Sequence, residues 1–353
     1  MLKNLMRAFA LVLICLNANS AESLRVGFVY VSPIGQAGWT YQHDQARQSL
    51  ERMLGAQAQT RYVEAVPEGA DAERVMREMA AGGTQLIFAT SFGYLEPALR
   101  IAGEFKNVKF EHAGGYKTAA NLNTYNARFY EGRWLAGWLA GTTSKSGVAG
   151  YVAGFPLPEV IQGINAFTLG MRAANPSATV RVAWLGTWFD PPKEREAALA
   201  LIGGGADVLA NHSGSPAVPQ TAQERGVKVI GYQSDMSRFA PDAQLAAVTA
   251  DWSGYYTRVA QAVMAGTWKP HPVWGGMKDG MVRLTAVHGD VPADVKRELV
   301  ARQRALIAGT AGPFFGRLVD QDGRVRQERG VLGDDAIARM DWFVQGVMGA
   351  LPK

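Results

Sequence analysis

From residue 24 onward, short and nearly continuous apolar runs alternate with longer amphipathic stretches. Residues 24–31 (LRVGFVYV) run almost unbroken and stop at Pro33 and Gly35, the pattern of a strand covered on both faces. Residues 41–54 then carry apolar positions at helical spacing and end at Gly55. The same rhythm predicts strands at 61–66, 85–90 and 108–112, with helices at 71–81 and 95–104 between them. It restarts with a helix at 131–143, followed by strands at 147–153, 180–185, 208–210 and 227–231. Helices at 158–173, 193–202 and 220–225 separate those strands, and helices at 255–264, 293–307 and 334–347 follow. Such alternation implies right-handed βαβ units and parallel sheets. Two blocks of similar size predict a bilobal α/β protein. No linker rich in Pro, Ser or charge divides them, and there is no short-period repeat.

The first twenty residues stand apart. Lys3 and Arg7 precede an apolar stretch from Ala8 to Leu16, and the small-x-small site Ala18-Asn19-Ser20 follows. This is the plan of a cleaved secretory signal peptide, residues 1–20, too short to span a membrane. The single cysteine, Cys15, lies inside it behind the bulky Leu13 and Ile14, which is poor context for lipid attachment. One cysteine also excludes an internal disulfide framework and a thiolate metal cage. At 48% hydrophobic and 19% charged, the 353 residues can bury a large core. The formal charge of +5 falls to +3 once Lys3 and Arg7 are removed. Cations and acids alternate, as in Lys193-Glu194-Arg195-Glu196, which reads as a solvated helix face and gives no footprint for nucleic acid.

Open parallel sheets bind ligands beyond the carboxyl ends of their strands. The segments there hold aromatics, amides and hydroxyls: Gln36 to Tyr41, Ser91-Phe92-Gly93-Tyr94 and Gly114-Gly115-Tyr116 in the first block. The second block has Gly154-Phe155-Pro156, Thr187-Trp188-Phe189-Asp190, Asn211-His212-Ser213 and Tyr232-Gln233-Ser234-Asp235. Large aromatics in glycine-rich loops stack well on flat ligands, and neutral polar groups beside them fix orientation. A planar, weakly charged ligand fits this set, and a sugar is the alternative. Trp39 and Trp188 are the leading stacking candidates; Trp134, Trp138 and Trp342 fall in helical stretches and read as core.

Four motifs in order, GWTYQHDQA from Gly38, YEGRWLAGWLAG from Tyr130, GTWFDPPKE from Gly186 and GYQSDMS from Gly231, make the chain from about Ser23 to Pro352 resemble the basic membrane protein family. These are substrate-binding proteins of ABC importers, similar to the purine nucleoside receptor lipoprotein. The resemblance implies a type I periplasmic-binding-protein clamshell, two open parallel-sheet lobes joined by several crossover strands. It divides the chain into residues 22–128 with about 252–275 as lobe 1, and 129–251 with about 276–333 as lobe 2. Residues 334–353 form a C-terminal helix assigned to neither lobe. The implied ligand is a purine base or nucleoside, adenine favoured, and the implied partners are an ABC permease and its ATPase. A periplasmic monomer, touching the membrane only through the permease and needing no cofactor or metal, is expected.

The family's acidic-x-Ser-Phe-Asn loop aligns with Gln36-Ala37-Gly38-Trp39-Thr40, so Trp39 is expected on one face of the base. Its Gly-Ser-Phe-x-Asp-Pro aligns with Gly186 to Pro191, placing Trp188 on the other face with Phe189 beside it. Ser91, Phe92, Asn211, Asp235, Gln36, Tyr116 and Phe155 complete the expected ligand-binding set. Gln36 in place of the acid, Thr40 in place of Asn, and the missing family Lys near Thr249 to Trp252 favour a free base over a nucleoside. An enzyme is disfavoured: the five histidines show no HExxH spacing, there is no GxSxG elbow, and Gly203-Gly204-Gly205 ends a helix instead of opening one. His212, next to Asn211 and Ser213 beyond a strand, is placed to face a cleft. A sugar-binding clamshell and a ligand-sensing receptor component are the remaining rivals.

Overall fold

A computed structural model describes residues 23–352, so the expected signal segment and Cys15 lie outside the described residues. The first block runs β1 (Leu24–Val29), α1 (Gly38–Leu54), β2 (Ala58–Val63), α2 (Ala70–Ala81), β3 (Leu86–Ala89), α3 (Leu95–Glu104), β4 (Lys109–Ala113) and β5 (Leu122–Ala127). Its strands pair in parallel in the order β2-β1-β3-β4-β5. The second block runs α4 (Phe129–Thr143), β6 (Val148–Ala153), α5 (Pro158–Ala174), β7 (Thr179–Trp184), α6 (Pro191–Gly203), β8 (Val208–His212), α7 (Ala217–Arg225), β9 (Lys228–Gln233) and β10 (Gln244–Ala250). Its parallel order β7-β6-β8-β9-β10 repeats that of the first.

The chain then weaves. After α8 (Ser253–Met264), which packs on α1, β11 (Val273–Gly275) adds to the first sheet beside β5. β12 (Val282–Thr285) joins the second sheet antiparallel to β10, and α9 (Ala293–Ile307) packs on α4. Three crossings therefore link the sheets: β5 into α4, β10 into α8, and β11 into β12. The C-terminal part forms a hairpin of β13 (Leu318–Val319) and β14 (Val325–Gln327), then α10 (Asp334–Ala338), and ends with β15 (Val347–Met348) parallel to β7.

Burial explains the strands. Val26 and Phe28 of β1 enter one apolar cluster, while Val29 enters another on the opposite face; β3 divides the same way, with Leu86 and Phe88 against Ile87 and Ala89. Two covered faces require a run without polar alternation. At the centre of the molecule α4 is buried almost all round, Phe129 to Gly141, against α5. A Cβ on Gly137 would stand 2.0 Å from the Phe167 carbonyl oxygen, and one on Gly170 2.0 Å from that of Trp134, so the two backbones touch at glycine.

Three expectations change. The helix expected at 334–347 stops at Ala338, because the chain turns so that Val347 and Met348 pair with β7. Trp342 is consequently in no helix, although Trp134 and Trp138 are buried on α4. The strand expected at 61–66 is Ala58–Val63, whose parallel register with β1 leaves Ala65 at φ +54° outside the ladder. Finally, Glu194 is buried instead of solvated and accepts from the hydroxyls of Ser213 (2.8 Å) and Ser215 (2.7 Å).

Candidate functional site

Each sheet changes direction at its first strand, β1/β3 in one and β6/β8 in the other, and the loops beyond those strands face each other. Between them lies a cavity of about 970 Å³. The first lobe lines it from the loops after β1, β3 and β4 and from β5 and β11; the second lines it from the start of α5, the loops after β7 and β8 and the end of β9. Asp335, Ala338 and Arg339 of the C-terminal segment complete the wall. The lobes meet closely here. Gly38, at φ +90°, would place a Cβ 2.2 Å from the carbonyl oxygen of Gly214, and its N–H donates to Ser234 Oγ at 2.9 Å.

Of the residues expected at the ligand, Trp39, Ser91, Phe92, Tyr116 and Trp188 line this cavity. The Trp39 indole N–H donates to the Thr90 carbonyl at 2.7 Å, and its ring packs edge-on against Phe129, Trp252 and His43, so its orientation is fixed. Ser91 Oγ donates to Glu68 at 2.6 Å. Phe92 and Tyr116 pair at 6.1 Å on the lobe 1 rim, with Tyr116 67% exposed. The other five stand behind or beside the wall. Phe155 packs edge-on against Trp188 at 4.8 Å, and Phe189 packs against Gly214. Gln36 accepts from Arg238 across the lobes. Asp235 accepts from the Ser237 N–H (2.9 Å) and Gln244 Nε2 (2.8 Å), which holds its carboxyl below the usual range despite partial burial. Asn211 donates to the carbonyl and hydroxyl of Ser213, shaping the loop. Each of the five is held by a partner of its own, and only Asn211 stands on a strand.

Gln233, Glu159 and Tyr232 line the cavity outside the expected ligand-binding set, and so does His212, which was expected to face a cleft. Gln233 ends β9 at φ +65°, 1% exposed, with neither carboxamide atom paired within the protein. A buried, unpaired amide in a left-handed backbone is doubly unfavourable, and such strain collects where a ligand is bound. Its signal in sequence is its place at a strand end, just before Ser234-Asp235. Glu159, in the first turn of α5, accepts from Asn126 Nδ2 at 2.7 Å across the lobes, and burial pushes its carboxyl up to about 7. His212 Nε2 lies 3.5 Å from Glu159, and burial, reinforced by the Arg133 cation, keeps the imidazole neutral. Tyr232 packs 4.7 Å from His212. The site thus offers aromatic walls, a free amide and a carboxyl–imidazole pair that can both donate and accept near neutrality. Among the described residues no group of three or more His, Cys, Asp or Glu could hold a metal ion.

The family model described as ABC transporter substrate-binding protein, PnrA-like, matches residues 23–308. A purine-binding protein of Brucella abortus is 48% identical over 337 residues, 95% of this chain and 96% of that one. A Haloferax volcanii protein named for glucose binding by an ABC transporter is 36% identical over 335 residues, 95% of this chain and 83% of its own. Among solved structures, an ABC transporter solute-binding protein from Conexibacter woesei superposes with a TM-score of 0.67 at 24% identity, over 82% of this chain and 98% of that one. This last likeness concerns the fold alone.

Proposed function

We propose, because this chain belongs to the PnrA-like ABC transporter substrate-binding proteins, that it captures a purine base between its lobes, adenine favoured, and delivers it to a membrane permease. The observation that carries this reading is the Gln233 carboxamide, buried against the cavity with its donor and acceptor both free. A lone buried donor or acceptor costs about 1–3 kcal/mol unless a ligand supplies its complement. Adenine presents an amino donor beside a ring-nitrogen acceptor, the pair a Gln side chain bridges in bidentate fashion. Trp39 and Trp188 supply the stacking faces, and Glu159, pushed up to about 7 and so partly protonated at neutral pH, reads a second edge with the neutral His212. The 48% identity to a purine-binding protein over nearly the whole chain supports the same assignment.

In this reading the chain works outside the cytoplasm as a freely diffusing periplasmic monomer, residues 1–20 being the export signal. Among the described residues no helix is long and apolar enough to cross a membrane. The closed pair of lobes is the form presented to the permease and its ATPase. A sugar is the second reading, favoured by the 36% identical relative named for glucose, since an amide also bridges neighbouring hydroxyls. Isothermal titration with adenine, guanine, adenosine and glucose separates them. Adenine is expected to bind most tightly and glucose not at all. Micromolar glucose binding without purine binding rejects the purine reading.

A further inference from the structure

A second polar cluster, centred on Arg133, shares only Tyr232 with the cavity lining and is not used by the ligand reading. Arg133 of α4 is fully buried, and its guanidinium stacks 3.6 Å from the Tyr232 ring centre and 5.2 Å from that of Tyr151. One Nη2 hydrogen bond goes to the Asn211 carbonyl; Nε and Nη1 have no protein partner. Among the described residues no carboxylate lies within ion-pair distance of it, and the Glu159 acid turns to Asn126 and His212 instead. The hydroxyls of Tyr151 and Tyr232 are also buried and unpaired. Burial pushes both phenols up, so they stay protonated donors. Gly163 of α5 faces the same spot, with Tyr151 Oη 3.1 Å and Arg133 Nε 3.9 Å from where its Cβ would be.

A buried cation with no counter-charge is among the costliest arrangements in a protein interior. Its neighbours Tyr151 and Tyr232 offer hydroxyl protons and no charge, and the buried Asn211 Oδ1 and His212 Nδ1 without partners are neutral as well. A single positive charge balances a single negative one. The close approach of Tyr151 Oη and Arg133 Nε to the open side of Gly163 favours a small sphere over a tetrahedral oxyanion. We propose that the Arg133 cluster is a buried binding site for a monovalent halide ion, chloride in the cell, held by Arg133 with the Tyr151 and Tyr232 hydroxyls between α4, α5 and the second sheet. The bound anion stabilises lobe 2 directly under the residues that line the ligand cavity. This proposal does not depend on what the cavity binds.

Diffraction from crystals of the full chain grown in sodium bromide, recorded at the bromine absorption edge, tests it. An anomalous peak against Arg133 Nε and Nη1, reduced in Tyr151→Phe, is expected. A second measurement replaces chloride by gluconate at constant ionic strength. The melting temperature of the wild type should rise with halide and saturate, whereas Arg133→Met should melt independently of halide. Density at the site with no anomalous signal means water alone, and that result, or equal melting in both salts, overturns the proposal. If Arg133→Met does not fold, the bromide map of the wild-type protein decides by itself.

Discussion

Gln233 shows how one residue can trade stability for binding. Its φ of +65° and its unpaired carboxamide both disfavour the folded chain without ligand. A left-handed conformation costs a side-chain-bearing residue roughly 1–2 kcal/mol that glycine avoids. Gln233→Gly should therefore melt above the wild type when no ligand is present, while its purine affinity falls about tenfold or more, measured by thermal unfolding beside titration calorimetry. Lower stability together with full affinity would make Gln233 an ordinary structural residue.

Glu111 carries the residue-scale pH dependence. It is buried on β4, where Tyr255 Oη (2.6 Å), Trp268 Nε1 (2.8 Å) and Asn123 Nδ2 (3.1 Å) donate to it, yet burial outweighs them and pushes the carboxyl up to about 7. A carboxyl raised above its unfolded value of 4.5 contributes stability that is fully present below pH 4.5 and lost as pH rises through about 7. Relative to Glu111→Gln, the wild type should lose on the order of 3 kcal/mol between those limits, measured by urea unfolding across pH. A pH-independent difference would show that Glu111 keeps its ordinary acidity.

At the scale of elements, α4 and α5 are fixed by Gly137 and Gly170. An added methyl at Gly137 has only backbone to displace, so Gly137→Ala should fall at or above the upper end of the roughly 1–3 kcal/mol typical of overpacking, read from denaturant unfolding. A neutral effect would mean that the helices slide apart freely. Elements also differed in how legible they were. The strands β1, β3, β6 and β7 announced themselves through apolar runs, broken only by Arg25 in β1 and by Thr179 and Arg181 in β7. β5 (LNTYNA) and β10 (QLAAVTA) did not, because two Asn in the one and three Ala in the other are poor strand formers. β5 is a strand because β4 supplies the ladder partner, and its Asn123 and Asn126 are spent on the buried Glu111 and the cavity's Glu159. The last segment misled for a similar reason: its helical spacing ends where β7 offers an edge to pair with.

For the whole molecule, the three crossings leave each lobe a rigid sheet and concentrate motion at residues 127–129, 250–253 and 275–282. The lobes meet through Gly38 with Ser234, Asn126 with Glu159, and Gln36 with Arg238, and Arg128 beside the first crossing pairs with Asp334 of the C-terminal segment. These contacts are polar and flank the ligand cavity, so the closed form should depend on ligand. Small-angle scattering should show a smaller radius of gyration on adding purine, with Asn126→Ala closing less completely at equal ligand. An unchanged radius in the wild type would mean that the cleft does not hinge.

Periodicity determined by itself that this chain makes two parallel α/β blocks, because burial on both faces of a strand leaves a mark in consecutive residues. The ordered motifs likewise fixed the family, and the strand ends located the aromatic lining of Trp39, Trp188, Phe92 and Tyr116. The tertiary structure alone decided which polar groups face the cavity. Asp235 looked suitable and is used up by neighbours, and Asn211 spends its amide nitrogen on Ser213, whereas Gln233, Glu159 and His212 acquire their character from desolvation and, for the last two, from partners up to 79 positions away. Free donors, shifted acidities and an uncompensated arginine are properties of what surrounds a residue, and that is settled only when distant strands and helices pack.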